Sequence, residues 1–279
     1  MDFAIFRRDY SKQKEHNIAF FSDLHIDAAD CDTKALNKDL NKAADNNCRF
    51  LINGDIADAI IPNDRKRYNN RDDLIDRNDH LNVITEHVYE VLKPYADYID
   101  VIRCGNHEDA IVKHHNYDII RGVITLLQRD RSDKLPAIHQ GDYRGFVTYL
   151  YHHGSNSAVR KTVIYQHHGA GGSAPVSKGM IDFNRMIYSN DADIYHTGHK
   201  HNSLVDSGVT RVRVDRNGRP VIDRKLAIQT AGYKKAYTDK DKGYSLAYSD
   251  RFYSYQSQGM IMVKQDVSTT IERSIVQTI

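Results

Sequence analysis

The chain has 279 residues, with 39 Lys and Arg against 37 Asp and Glu and a formal net charge of +2. Acidic and basic residues are interleaved, which excludes a strongly basic protein that coats nucleic acid, while 40% hydrophobic residues suffice for a sizeable core. Cys31, Cys48 and Cys104 are odd in number and widely spaced, which excludes a disulfide framework and a structural zinc knot and fits a reducing compartment. The N-terminal apolar run is too short for a signal peptide, and nowhere do eighteen apolar residues follow one another. The expectation is a soluble, cytoplasmic protein with no membrane partner.

In chain order, Asn17 to Ser22, Arg49 to Asn53, Ile99 to Arg103, Thr162 to Gln166 and Ile194 to Thr197 are short apolar or β-branched runs that predict strands. Helical spacing alternates with them: Thr33 to Asn47 with a Thr start signal, about Asn78 to Leu92, Asn116 to Arg129, and Gly179 to Asn190. This is the pattern of an α/β sheet. An alternating run from Tyr143 through His152 and His153 predicts a hairpin that feeds the next strand. Beyond His201 the texture turns to β, where 209–214 and 221–231 flank an Asn-Gly turn at Asn217-Gly218. Two closing strands follow at 259–263 and 269–276. With no repeat or clear linker, the parse is one domain over 1–279, β-rich from about residue 203.

Each predicted α/β strand ends at chemistry. The five endings are Asp23-Leu24-His25, Gly54-Asp55-Ile56-Ala57-Asp58, Gly105-Asn106-His107-Glu108, His167-His168-Gly169 and Gly198-His199-Lys200-His201. In α/β sheets ligands gather outside the carboxyl ends of the strands, so one sheet edge can collect all five. Imidazole, carboxylate and amide oxygen form a mixed N/O set suited to manganese, iron, zinc, nickel or cobalt. Asp23, His25, Asp55, Asn106, one of His167 and His168, His199 and His201 supply too many donors for one tetrahedral ion. Two ions roughly 3.5–4 Å apart that share a carboxylate would use them all and clamp an in-line displacement at phosphorus.

The five blocks, in this order from Asp23 to His201, resemble the calcineurin-like metallophosphoesterase superfamily. The resemblance implies a four-layer α/β-β/α sandwich of two mixed sheets flanked by helices. It also implies two divalent ions, manganese foremost: Asp23, His25 and His201 on one, Asn106, His168 and His199 on the other, and Asp55 between them. His107 becomes the general acid and phosphate contact, Asp58 the carboxylate that orients it, and the nucleophile a hydroxide from water bridging the ions. The text His168-Gly169-Ala170-Gly171-Gly172 looks like the turn of phage-type members, which favours His168 over His167 and allows a host-cytoplasmic setting. Asp58 is followed by Ala59-Ile60 rather than Arg-Gly, unlike the protein serine/threonine phosphatases.

The expected activity is metal-dependent hydrolysis of phosphate esters by a small stand-alone phosphodiesterase or nuclease-like enzyme. The alternatives are a phosphomonoesterase or nucleotidase, and a non-catalytic metal-binding scaffold of the same fold. The partner is a phosphate-ester substrate, with nucleic acid or nucleotide as the candidate class. Arg65, Lys66, Arg67 and Arg71 in a polar insertion are candidate contacts for that substrate, and Tyr233 to Lys242 interleaves Tyr with Lys as a stacking surface for bases would. His114 and His115 read as solvated loop histidines near the rim of the site, and His80 and His87 as residues on an exposed helix face.

Overall fold

A computed structural model of the chain describes residues 1–11, 14–61, 79–154, 156–171, 179–235, 259–267 and 272–277. The candidate contacts Arg65, Lys66, Arg67 and Arg71, and residues 236–242 of the Tyr/Lys segment, lie outside them. Among the described residues no helix is long and apolar enough to cross a membrane.

Two six-stranded mixed sheets face one another. In chain order the strands are β1 (Asp2–Asp9), β2 (Ile18–Phe21), β3 (Arg49–Asn53), β4 (Ile99–Arg103), β5 (His139–Gly141), β6 (Arg144–His153), β7 (Asn156–His167), β8 (Ile194–Thr197), β9 (Leu204–Asp206), β10 (Thr210–Val214), β11 (Pro220–Arg224), β12 (Leu226–Gln229), β13 (Ile261–Asp266) and β14 (Glu272–Gln277). The first sheet runs β1-β6-β7-β8-β12-β9, the second β14-β13-β2-β3-β4-β5, and β10 and β11 form a separate hairpin. Helices α1 (Thr33–Asp45), α2 (His80–Leu92), α3 (Asn106–His115) and α4 (Ile119–Asp130) belong to the second sheet's side, and α5 (Met180–Ser189) packs on the first.

Strands β2, β3 and β4 are short because apolar residues on both faces bury them completely on this two-sided sheet. Ala19, Phe21, Phe50 and Ile52 meet the α1, α2 and α4 side chains, while Ile18, Phe20 and Leu51 meet Val147, Tyr149 and Ile164 of the facing sheet. A third cluster, with Phe183 and Met186 on Tyr165 and Tyr195, seats α5. The result is the expected four-layer order of helix, sheet, sheet and helix.

Several boundaries differ from expectation. Helix α1 is capped by Asp32, whose side chain accepts from the Ala35 amide at 3.1 Å, and not by Thr33. The helix expected from Asn116 starts at Ile119, because Asn116 adopts a left-handed φ of 52° and closes α3 instead. The single strand expected over 221–231 is two, β11 in the hairpin and β12 in the first sheet, parted at Lys225. His114 and His115 occupy the last turn of α3 rather than a loop, and His80 and His87 are half-buried on α2.

At the end of the sandwich away from the five blocks, one fully buried carboxylate ties the sheets together. Asp100 of β4 accepts from Arg49 of β3 (2.5 and 3.1 Å), Arg8 of β1 (2.8 Å) and Tyr149 of β6 (2.9 Å), with Arg131 at 3.4 Å. Burial pushes its pKa up, but Arg49 and Arg8 outweigh this and hold it at about 2. Asp100→Ala would remove the carboxylate that Arg8 and Arg49 face, although Arg49 and Arg131 keep main-chain carbonyl acceptors, and is expected to cost about 3–5 kcal/mol in denaturant unfolding. Because the folded pKa is depressed, this stabilisation is complete above the ordinary carboxylate value and is lost as pH falls through about 2. A loss below 1 kcal/mol would show that the cluster does not hold the sheets.

Candidate metal centre

The five blocks follow β2, β3, β4, β7 and β8, and their side chains converge at the carboxyl ends of these strands. The backbone there is unusual. Asp23, His25, Asp55, His199 and His201 all have left-handed φ values between 45° and 69°. Each such non-glycine conformation costs of order 1 kcal/mol and persists only where the surroundings over-determine it. Gly54 makes the close approach possible, since a Cβ there would stand 2.5 Å from His168 Nδ1.

Three overlapping groups of donor atoms result, the third of them His25, Asp55 and His107. Asp23, His25 and His201 form the first: His25 Nε2 lies 3.3 Å from His201 Nε2, and Asp23 Oδ1 lies 3.4 Å from His201 Nε2. Asp55, His168 and His199 form the second, with Asn106 among them. His168 Nε2 lies 3.1 Å from Asp55 Oδ2 and 3.2 Å from Asn106 Oδ1, and His199 Nδ1 lies 2.7 Å from Asn106 Oδ1. The other ring nitrogen of His168 sits 2.7 Å from the Asn53 carbonyl, so Nδ1 donates there and Nε2 is left as a lone-pair donor. His167 points elsewhere: its Nδ1 accepts from the Gly169 amide at 2.9 Å. His152 and His153 are at the far end of β6, beside Arg7 and Tyr10.

The residues fit divalent cations. Asp23 Oδ1 is buried with no hydrogen-bond partner, a costly state for an anionic oxygen unless a cation meets it. Burial lowers the pKa of His168, but Asp55 and Asp23 reverse that and raise it to about 10. The buried carboxylates therefore demand positive charge at that nitrogen, which a metal ion supplies in competition with protons. The donor set lacks thiolate and matches hard to borderline ions.

Beside these clusters, His107 is held by Nδ1 at 2.5 Å from the Asp58 carbonyl, and its amide donates to Asp55 Oδ1 at 3.0 Å. Burial lowers its pKa, yet Asp55, Asp58 and the Asp58 carbonyl together raise it above the ordinary value. The Asp58 carboxylate, expected to orient this ring, is in ion-pair range of His107 Nδ1 at 3.6 Å. It also lies 3.0 Å from His25 Nδ1 and 2.9 Å from Lys234 Nζ. The closest contact of Asp58 to His107 is its main-chain carbonyl, and that of its side chain to an imidazole is at His25.

Sequence reasoning missed two supports. Lys234 bridges Asp58 and Asp30 (3.7 Å), although the Tyr233-Lys234 text suggested a surface; Tyr233 itself is fully buried, with its hydroxyl on Asp39. Glu108 accepts from the amides of Asp55, Ala57 and Gly105 at 2.9–3.1 Å and so locks the second block to the third. A buried Glu directly after Gly-Asn-His was a readable signal for the latter. No local signal exposed Lys234.

No protein-family model and no curated protein matches the chain. Solved structures show only distant likeness. A conserved uncharacterized protein from Streptococcus pneumoniae, described as a predicted phosphoesterase, is 12% identical with a TM-score of 0.35, covering 94% of this chain and 90% of that one. A metallophosphoesterase from Sphaerobacter thermophilus is 13% identical with a TM-score of 0.35, covering 95% and 88%. GAP50 of Plasmodium, described as the anchor in the inner membrane complex, is 10% identical with a TM-score of 0.46, covering 95% and 85%. Identities of 10–13% say nothing of activity. The motifs converge not at the single sheet edge expected but from both sheets, three after β2, β3 and β4 and two after β7 and β8, and in this ordered set the chain resembles the calcineurin-like metallophosphoesterase superfamily.

Proposed function

We propose that this chain hydrolyses phosphate esters, phosphodiesters foremost, with two divalent cations. Asp23, His25 and His201 would hold one ion, Asn106, His168 and His199 the other, and Asp55 would face both. The observation that carries this reading is the chain of overlapping donor groups, Asp23-His25-His201, His25-Asp55-His107 and Asp55-His168-His199, with the buried Asp23 Oδ1 between His201 (3.4 Å) and His168 (3.9 Å). When bound, the ions supply Lewis-acid charge to the phosphoryl oxygens and lower the pKa of water.

The chain's own residues do the rest. The Asp58 carbonyl can only accept, so His107 Nδ1 carries a hydrogen and Nε2 is the nitrogen that presents the transferable proton. As water adds to phosphorus and the P–O bond to the leaving alcohol breaks, His107 Nε2 gives its proton to the departing oxygen. The negative environment of Asp55 and Asp58 keeps the ring protonated to higher pH than a free imidazole, which suits an acid near neutrality.

His168→Ala is expected to lose one bound ion by elemental analysis while His167→Ala keeps both, since only His168 turns a lone pair inward. Equal losses would refute the assignment. The substrate class is tested by a panel of chromogenic mono- and diesters, with single-stranded and duplex DNA, under saturating manganese. Higher kcat/KM for the diester supports the reading. Preference for the monoester would make this a phosphatase, and no hydrolysis by the metal-loaded protein would make it a scaffold.

A further inference from the structure

A cleft of about 130 Å³ opens directly beside His107. One wall is a single face of α3: His107, Ala110, Ile111 and His114 recur at i, i+3, i+4 and i+7. The other wall is the segment 58–61, which presents Ile60 and Ile61. That wall is fixed rather than draped. The Asp58 and Ala59 amides both donate to the Asp27 carboxylate, at 2.5 and 2.9 Å, and Ala59 is held at a left-handed φ of 51°. A strained alanine kept in place by a buried carboxylate indicates a wall whose shape matters.

The chemistry of the lining narrows what can enter. Five of the residues that line the cleft are aliphatic (Ala59, Ile60, Ile61, Ala110 and Ile111), and the imidazoles of His114 and His115 line it as well. Among the described lining residues there is no Lys or Arg, and the carboxylate of Asp58 is engaged by His25 and Lys234. Among these described lining residues a second phosphate or other strong anion has no Lys or Arg to meet it, whereas an uncharged flat group buries its faces on both walls. The size is also informative, because an apolar cavity of roughly 150 Å³ takes a benzene ring.

From this geometry we infer that the cleft beside His107 is a leaving-group subsite for one flat, uncharged, largely apolar ring. The inference rests on the proposed hydrolase reading: a group that protonates the departing oxygen stands on the departing side, so the cleft next to it receives the alcohol. The substrate class is therefore an ester whose leaving alcohol carries an aryl or nucleoside-like ring close to the phosphorus. A leaving group that carries a further phosphate is disfavoured.

The test uses the full chain loaded with manganese and four methyl phosphodiesters that differ in leaving group: p-nitrophenol, trifluoroethanol, phenol and naphthol. Ala110→Phe fills the cleft; because Asn106 lines the same cleft one turn away, bound metal is measured on the variant as a control. This variant should lower the ratio of kcat/KM for nitrophenyl over trifluoroethyl on the order of tenfold, with bound metal unchanged. Ile61→Ala, which widens the opposite wall, should raise naphthyl over phenyl severalfold, and this arm stands even if the phenylalanine variant fails to fold. Unchanged ratios in both variants would overturn the subsite while leaving the hydrolase reading intact. If the metal-loaded wild type cleaves none of these esters, the hydrolase reading fails and the subsite with it.

Discussion

His107→Ala is expected to bind both metal ions normally and yet to cleave a diester with an alkyl leaving group on the order of 10²–10⁴-fold more slowly. The loss should shrink markedly for p-nitrophenolate, which departs with little protonation. The geometry predicts this split because the imidazole is anchored through Nδ1 to a main-chain carbonyl and stands beside the donor clusters, its Nε2 4.0 Å from Asp55 Oδ2. Asp58→Asn should not simply be a milder copy. Its carboxylate lies 3.0 Å from His25 Nδ1, so losing the charge weakens the orientation of a proposed ligand, while the carbonyl that aims His107 remains. The expected signature is a 10–100-fold loss of affinity for one ion, and at saturating manganese a loss for the alkyl leaving group that sets in at lower pH than in wild type, because the Asp58 charge also raises the His107 pKa. An equal rate loss for both leaving groups in His107→Ala, or a missing ion there, would make His107 a ligand or a structural residue.

Asp55→Asn should have the largest effect on metal content. Asp55 Oδ2 faces His168 Nε2 and Oδ1 accepts the His107 amide, so this one side chain touches the second donor cluster and the acid together. An amide keeps one acceptor oxygen and the local fold but brings no negative charge to offset two cations. Both ions should fall to well below one equivalent after gel filtration, and hydrolysis should fall with them. Two tightly retained ions in this variant would show that Asp55 is not shared.

The sheet that bears the first three blocks was legible because its strands carry short apolar or β-branched runs ending at the motifs; Arg49–Asn53 and Ile99–Arg103 have the expected bounds although the second run includes Asp100 and Arg103. Strand β1 was not foreseen. Its apolar residues alternate between the sandwich interior, at Ala4 and Phe6, and an exposed outer face, at Phe3 and Ile5, so no polar face marks the period. The split of β11 from β12 was hidden because Val221 to Ala231 keeps a strand-like composition while the chain changes sheets at Lys225, whose ammonium is held by Asp191 and Asp223. Motif text carried the candidate ligands for a physical reason. A side chain within one or two residues of a strand end has little choice of position. The partners of Asp58 were beyond reach: His25 is 33 positions away and Lys234 176, and only tertiary packing brings them together.

The central claim is that two cations in this centre enable phosphate-ester hydrolysis. It is tested most directly by stripping the protein of metal and titrating it with manganese while following cleavage of bis-p-nitrophenyl phosphate. The account predicts negligible hydrolysis without metal and a rise that saturates at two equivalents per chain. Saturation at one equivalent, full activity without metal, or two bound equivalents without hydrolysis would contradict it.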